Sequence, residues 1–458
     1  MIRKTTLFTG CMASMLAAPS FAQEVLLPDD ELVAGSGTGF GRNARIVQNR
    51  ILAFARDSDA HTNFTVLYVF DAETMELQDS IQYGFMGAHD PGARSIDLVG
   101  DQLLVGVPWS DNETGGNAGD LYLYQMGSGA EPAMFSPIVG IGESREGELF
   151  GTAVALAGDR VVVSGPGDRD NGSGSGSVYV FDTSTGQQLK KIKPEDASDG
   201  DWFGGAVVVD DGVIAIGASG SDNGNVDSSG AVYLYDLYTY ELIEKITPSN
   251  PVYLSFYGST IAMRDGYLVV GAYAETVPSD GLDHVRYLGA VYVYDAATGE
   301  ELYKLQPDGE IANRYFGSSV AISGNTLVVG AHGEDDLAGS AYIYRLSSGD
   351  LVSKLTSENL TDDDQLGLPV DIDEGRVIVS SITSDVTGPN SGVVFVYDLG
   401  SCSVADLAEP HFELNFFDVS AFLTAYIAES SEADINGDGL FDFFDVSQFL
   451  AAYNGGCP

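Results

Sequence analysis

The sequence predicts a mainly β protein, a ring of seven four-stranded blades followed by a small α-helical domain, and three observations carry that reading. First, an alternating aromatic segment recurs seven times: Leu67-Tyr68-Val69-Phe70, Leu121-Tyr122-Leu123-Tyr124, Val178-Tyr179-Val180-Phe181, Val232-Tyr233-Leu234-Tyr235, Val291-Tyr292-Val293-Tyr294, Ala341-Tyr342-Ile343-Tyr344 and Val394-Phe395-Val396-Tyr397. The first aromatics lie 54, 57, 54, 59, 50 and 53 residues apart, and a period of that length filled with β-branched and aromatic residues is one blade of a β-propeller. Second, the composition, 44% hydrophobic with 56 glycines, is too apolar for a disordered acidic chain and too broken by glycine for long helices. Third, the apolar period changes after Cys402 from that of strands to that of helices.

The chain opens with Arg3 and Lys4, an apolar stretch around Leu7 to Leu16, and Ser20-Phe21-Ala22. This is the pattern of an export signal cleaved after residue 22, so the protein is expected to be secreted or held at the cell surface. Phe8-Thr9-Gly10-Cys11 places a cysteine after glycine as in a lipoprotein, but the apolar run before Cys11 is too short to engage a membrane. No later run reaches the ~20 apolar residues of a transmembrane segment. With 21 Lys and Arg against 67 Asp and Glu the formal charge is −46. That excludes nucleic acid held through its phosphates, which requires a basic face to displace counterions.

Residues 23–399 carry the repeats. One repeat reads Phe316-Gly317-Ser318-Ser319-Val320-Ala321-Ile322, a turn at Gly324-Asn325, Leu327-Val328-Val329-Gly330-Ala331, an acidic loop, the aromatic strand, then Leu351 to Leu355. The first turn recurs as Gly100-Asp101, Gly158-Asp159, Asp211-Gly212, Asp265-Gly266 and Glu374-Gly375, pairs that accept positive φ and suit tight hairpins. Runs such as Val161-Val162-Val163 predict strands buried on both faces. The seventh repeat has no fourth strand before Cys402, whereas Leu27-Pro28-Asp29-Asp30-Glu31 is similar to Lys304-Leu305-Gln306-Pro307-Asp308-Gly309-Glu310. Residues 24–28 are therefore expected to supply the outer strand of the last blade and to clasp the ring.

These repeats resemble the FG-GAP repeats of β-propellers related to the head domain of integrin α chains, most closely a bacterial variant with the pattern FG-x-SVAI-x-G-x-x-LVVGA. Phe40-Gly41, Phe150-Gly151, Phe203-Gly204 and Phe316-Gly317 carry the motif, and Tyr257-Gly258 and Leu366-Gly367 are weaker copies. The resemblance implies binding or adhesion. Integrin-type propellers hold calcium between the first and second strands of a blade, where this chain has two-residue turns, so those ligands do not carry over.

Residues 402–458 contain two similar units, each with Phe-Phe-Asp-Val-Ser followed by apolar positions at helical spacing: Val419, Phe422, Leu423, Tyr426, and Val446, Phe449, Leu450, Tyr453. Before the second helix, Asp434, Asn436, Asp438, Leu440, Asp442 and Asp445 offer oxygens, with Gly439 at the turn, in the spacing an EF-hand-like Ca²⁺ loop requires. A solvated Asn-Gly, Asp-Gly turn is the plainer alternative. The first unit is poorer, with Asp406, Asn415 and Asp418 as a weak second site or an empty one. Cys402 and Cys457 bracket the segment, and in an oxidising compartment the expectation is one disulfide rather than two free thiols or an incomplete metal site. The paired loops and helices resemble a dockerin of the cysteine-bracketed type, which implies a cohesin-like or other surface component as partner. Phe443 and Phe444 stand where the cellulosomal type is usually polar, so an ordinary cohesin is not implied.

The five histidines, His61, His89, His284, His332 and His411, form no HExxH pair, and no Gly-Lys of a phosphate loop occurs. The loops between second and third strands are acidic, with Asp168, Asp170, Asn171, Asp222, Glu334, Asp335 and Asp336 all expected on one rim, either attracting Ca²⁺ or a cationic partner or simply solvated. The function expected is a non-enzymatic exported binding protein whose rim meets an extracellular protein or glycan. A polysaccharide-degrading enzyme or its accessory subunit, and a structural envelope or matrix protein, are the rival readings.

Overall fold

The computed structural model describes residues 3–6, 24–26, 28–33, 38–56, 65–83, 94–112, 114–127, 133–135, 145–277, 286–307, 314–358 and 360–399, and in the C-terminal segment 416–428, 430, 433, 435, 440–441 and 443–455. Seven antiparallel sheets form a seven-bladed β-propeller. Blade three is representative: Val154–Ala157, Arg160–Gly165, Ser177–Asp182 and Gln188–Ile192, here called strands A to D from the channel outward. In the B and C strands nearly every residue is buried, because each blade is covered on both faces by its neighbours. The A–B hairpins turn through left-handed residues at the expected pairs, such as Asp211 and Gly212. Blade one uses Gln48 and Asn49 in the same way, with φ of 51° and 59°. Blade five carries an extra hairpin, Thr276–Val277 paired with Arg286–Tyr287, between its B and C strands.

The motif glycines explain how blades join. Phe40, Phe150, Phe203, Tyr257, Phe316 and Leu366 are fully buried. Four of them pair in parallel with the glycine that ends the preceding blade's B–C loop, as in Gly176 with Phe203 and Gly289 with Phe316. The following glycine is left-handed, and at Gly317 a Cβ would lie 2.6 Å from the carbonyl oxygen of Ala290. Only glycine permits that approach. Phe40 closes the ring by the same contact, its N–H donating to the Ser391 carbonyl at 2.9 Å.

The clasp forms, but with other residues than expected. Asp30–Val33, not residues 24–28, is the outer strand of blade seven, paired antiparallel with Val393–Asp398. Glu24–Leu26 instead pairs in parallel with Leu351–Leu355 on the outside of blade six. Burial decides the register: Leu32 packs into the cluster shared with blade one and Val33 into the cluster shared with blade six, so alternate residues fill opposite faces. Arg3–Thr6 adds a further strand against Asp30–Val33.

At the C-terminus, Phe416–Ile427 and Phe443–Gly455 are helices joined by a stack of Phe422 on Phe449, with ring centroids 4.1 Å apart. Val419, Tyr426, Val446 and Tyr453 pack around it with Ile435 and Phe441. Leu423 and Leu450 differ from expectation and are about half exposed. Each helix buries a narrow stripe against a single partner, which leaves these flanking leucines outside it. Cys402, Cys457, Asp406, Asn415, Asp434, Asn436, Asp438 and Asp442 lie outside the described residues.

Candidate functional site

The B–C loops and the links that precede each Phe-Gly motif emerge at the same end of the propeller, as the parallel pairing of Gly230 with Tyr257 and of Gly339 with Leu366 requires. That end is the acidic rim. Asp168 is buried and accepts from Lys191 Nζ at 2.6 Å, while Asp170 accepts from Lys191 and Lys193, each at 2.9 Å. The Asn171 amide donates to the Pro194 carbonyl at 3.5 Å, and Asp222 accepts the Ser228 N–H at 2.8 Å, closing its own loop. Glu334 is buried beneath a turn in which Asp335, Asp336 and Leu337 have φ of 50°, 58° and 70°. Asp335 reaches Lys354 at 3.2 Å, and Asp336 is exposed.

These contacts belong to a cluster repeated in blades three to six. A C-strand tyrosine donates its hydroxyl to a carboxylate, and a D-strand lysine binds the same carboxylate while lying over the tyrosine ring. In blade six Tyr342 donates to Glu334 at 2.5 Å, Lys354 sits 3.3 Å from Glu334, and its Nζ is 5.6 Å from the Tyr342 ring centre. In blade five Tyr292 donates to Glu275 at 2.7 Å, and Lys304 binds Glu275 and lies 4.7 Å over Tyr292. Blade four takes its acid from the preceding link: Tyr233 donates to Asp196 at 3.0 Å, and Lys245 at 2.7 Å. Blade three combines Asp168 with Glu148, which binds the Tyr179 hydroxyl and Arg145. A buried carboxylate is costly unless paired, and Glu148, Asp168, Glu275 and Glu334 are each met by a cation and a hydroxyl, whereas Asp196 is exposed.

Electrostatics follow from this arrangement. Burial first, and then the adjacent carboxylate, push Tyr179, Tyr292 and Tyr342 above the ordinary phenol value. Desolvation would lower Lys191 and Lys245, but hydrogen bonds to Asp168 and Asp170, and to Asp196, outweigh it and raise both. The hydrogen bond from Lys191 is the main reason Asp170 is lowered. Rim loops are thus pinned by internal ion pairs. The signal was present in the sequence, because the lysine follows the tyrosine by 12 residues in all four blades.

Residues 143–181, 187–235 and 300–344 match the FG-GAP repeat. Each of these FG-GAP segments contains a Phe-Gly motif and a C-strand tyrosine of the cluster, in blades three, four and six. No curated protein matches the chain. The other four blades have the same four-stranded arrangement in their sheets.

Along the axis the A strands enclose a channel of about 410 Å³. There Arg45 of blade one binds Asp371 of blade seven at 2.8 Å and lies 4.0 Å from Asp97 of blade two. Asp371 also accepts the Ile46 N–H and Asp97 the Leu156 N–H, so both carboxylates bridge neighbouring blades. Asp371 is the main cause that raises Arg45, and burial raises Asp97. One guanidinium thus faces two carboxylates, and the contacts of the three groups tie blades seven, one, two and three together at the seam of the ring.

Proposed function

We propose that this chain is an exported binding protein that presents the B–C rim of its propeller to an extracellular protein or glycan, with the C-terminal dockerin-like module anchoring it to a surface component. The observation that carries the reading is the repeated carboxylate–tyrosine–lysine cluster, which holds the rim loops of four blades rigid while the side chains beyond it differ from blade to blade. A rigid frame with variable outward residues suits recognition, and the match to FG-GAP repeats points the same way.

In the module, Asp434, Asn436, Asp438 and Asp442, with the Leu440 carbonyl, would hold one Ca²⁺ together with Asp445. Asp445 has no exposed surface at the start of its helix, beside a core containing Ile435 and Val446. A hard oxygen donor set with an acid buried at its last position fits a calcium ion, whose charge offsets the cost of burying that carboxylate. When bound, the ion supplies folding free energy to the loop and helix.

Two measurements test the reading. Calorimetric titration of the full chain should show calcium binding that Asp434→Ala abolishes and Asp406→Ala changes little; equal damage from both substitutions would remove the second loop as the site. Capture of a cell-surface fraction by the mature protein should weaken both on chelation and on substitution of rim residues. Capture indifferent to both would sink the function proposed.

A further inference from the structure

The residue before each Phe-Gly motif has a left-handed backbone: Gly39, Leu149, Trp202, Phe256, Tyr315 and Gln365, with φ between 52° and 60°. That conformation is unstrained only for glycine. A bulky side chain there is ordinarily compensated by burial, yet Trp202 is 47% exposed and Phe256 and Tyr315 are only partly covered. Blades four, five and six therefore hold aromatic rings at the rim surface against a backbone preference. Around them Phe256 stacks on Tyr273, with centroids 5.8 Å apart and planes 10° apart, and Tyr315 stacks on His332 at 5.0 Å and on Tyr287 at 5.9 Å. Tyr273 meets Tyr315 at 6.3 Å, which joins the two groups into one strip.

Two features say what such a strip would bind. The hydroxyls of Tyr273, Tyr287 and Tyr315 make no hydrogen bond among the described residues, and the buried His332 Nδ1 and Arg314 Nε have no partner. Amphipathic rings with unused polar edges ask for a partner that has apolar faces and many hydroxyls. The charges beneath the strip are already matched: Lys304 binds Glu275, while Arg314 and Lys354 serve Glu334 and Asp335. Burial also lowers His332, which disfavours its cationic form. A cationic ligand gains little from carboxylates that already have partners, and an anionic polymer is repelled by a chain of charge −46. We propose that this aromatic strip over blades five and six is the ligand-contacting part of the rim and that its ligand is an uncharged glycan, whose C–H faces lie on the rings and whose hydroxyls meet the phenol edges. The proposal rests on the rim reading given above and names its chemistry.

The test uses the mature full-length protein with four probes: cellohexaose and mannohexaose, which are uncharged, hexagalacturonate, which is acidic, and hexalysine, which is basic. Tyr315→Gly and Tyr273→Ser introduce the residues that blades one and four carry at the same positions, Gly39 and Ser219, so folding should be preserved and is checked by melting. Calorimetry should show an uncharged hexasaccharide binding, at least tenfold weaker in either variant and unchanged in Tyr238→Ser on the opposite rim. Failure of both uncharged probes at millimolar concentration, or binding indifferent to Tyr315→Gly and Tyr273→Ser, overturns the proposal. Hexalysine binding that these variants abolish would overturn the glycan chemistry while leaving the rim as the binding surface.

Discussion

Glu275 shows what a single residue contributes to this fold. It is 3% exposed and accepts from Tyr292, Lys304 and Gln306, so its charge is tolerable only while those donors remain. Lys304→Met removes the cation and leaves the carboxylate in place. Because Lys304 is itself partly exposed, the expected loss is on the order of 2–3 kcal/mol, near the lower end for a broken buried pair. Lys304→Met combined with Glu275→Gln should recover part of it, since no uncompensated charge remains. Urea unfolding of the two singles and the double forms a cycle, and additive losses would deny the coupling. Glu275 itself was not singled out in the sequence, because its partner lies 29 residues away on another strand.

At the scale of an element, the C–D hairpins of blades one, three, four and five rest on one aspartate each. Asp182 accepts the N–H groups of Ser184 and Thr185 and both their hydroxyls, and Asp71, Asp236 and Asp295 cap their turns in the same manner. These hydrogen bonds favour the ionised form and depress all four, Asp182 to about 2 from 3.8, mainly through Ser184 and Thr185. The sign follows by linkage. A depressed carboxylate stabilises the fold above its unfolded value, and that contribution fades as pH falls through the folded value. Stability should therefore drop between pH 4 and pH 2, and Asp182→Asn should flatten that dependence in denaturant titrations at pH 5, 3 and 2. An identical slope in the variant would contradict the assignment. The same C–D pairings shift register at one place in five blades, for example between Val180 and Phe181 and between Val293 and Tyr294, a bulge that residue alternation alone does not reveal.

The whole molecule depends on closing a ring whose ends are far apart in sequence. Asp30–Val33 supplies the last strand, and Leu32 and Val33 are 1% and 3% exposed on its two faces. Compared with a chain beginning at Gln23, one beginning at Asp29 loses only the strand added to blade six and should melt close to it. A chain beginning at Gly35 loses the outer strand of blade seven and should melt far lower or without cooperativity. Leu32→Ala is the milder form, expected to cost about 3 kcal/mol. Scanning calorimetry separates these cases, and equal melting of the two truncations would remove Asp30–Val33 as the clasp.

The period of the aromatic strands, the paired turn residues and the Phe-Gly motifs were enough to place seven four-stranded units and their order, because each is a local rule in which a residue type meets a backbone demand within a few positions. The sequence alone also showed that an N-terminal strand was needed to complete the last blade, since strand counting is local as well. Which residues form that strand was decided by burial on two faces at once, a property of neighbouring blades that no short window contains. The rim divides in the same way. Its acidity was legible, but the pairing of Asp168, Glu275 and Glu334 with lysines exists only after C and D strands come together, and so does the aromatic strip, whose members span Phe256 to His332. Local spacing fixes strands and turns, while long-range packing alone chooses which charges are neutralised and which rings meet.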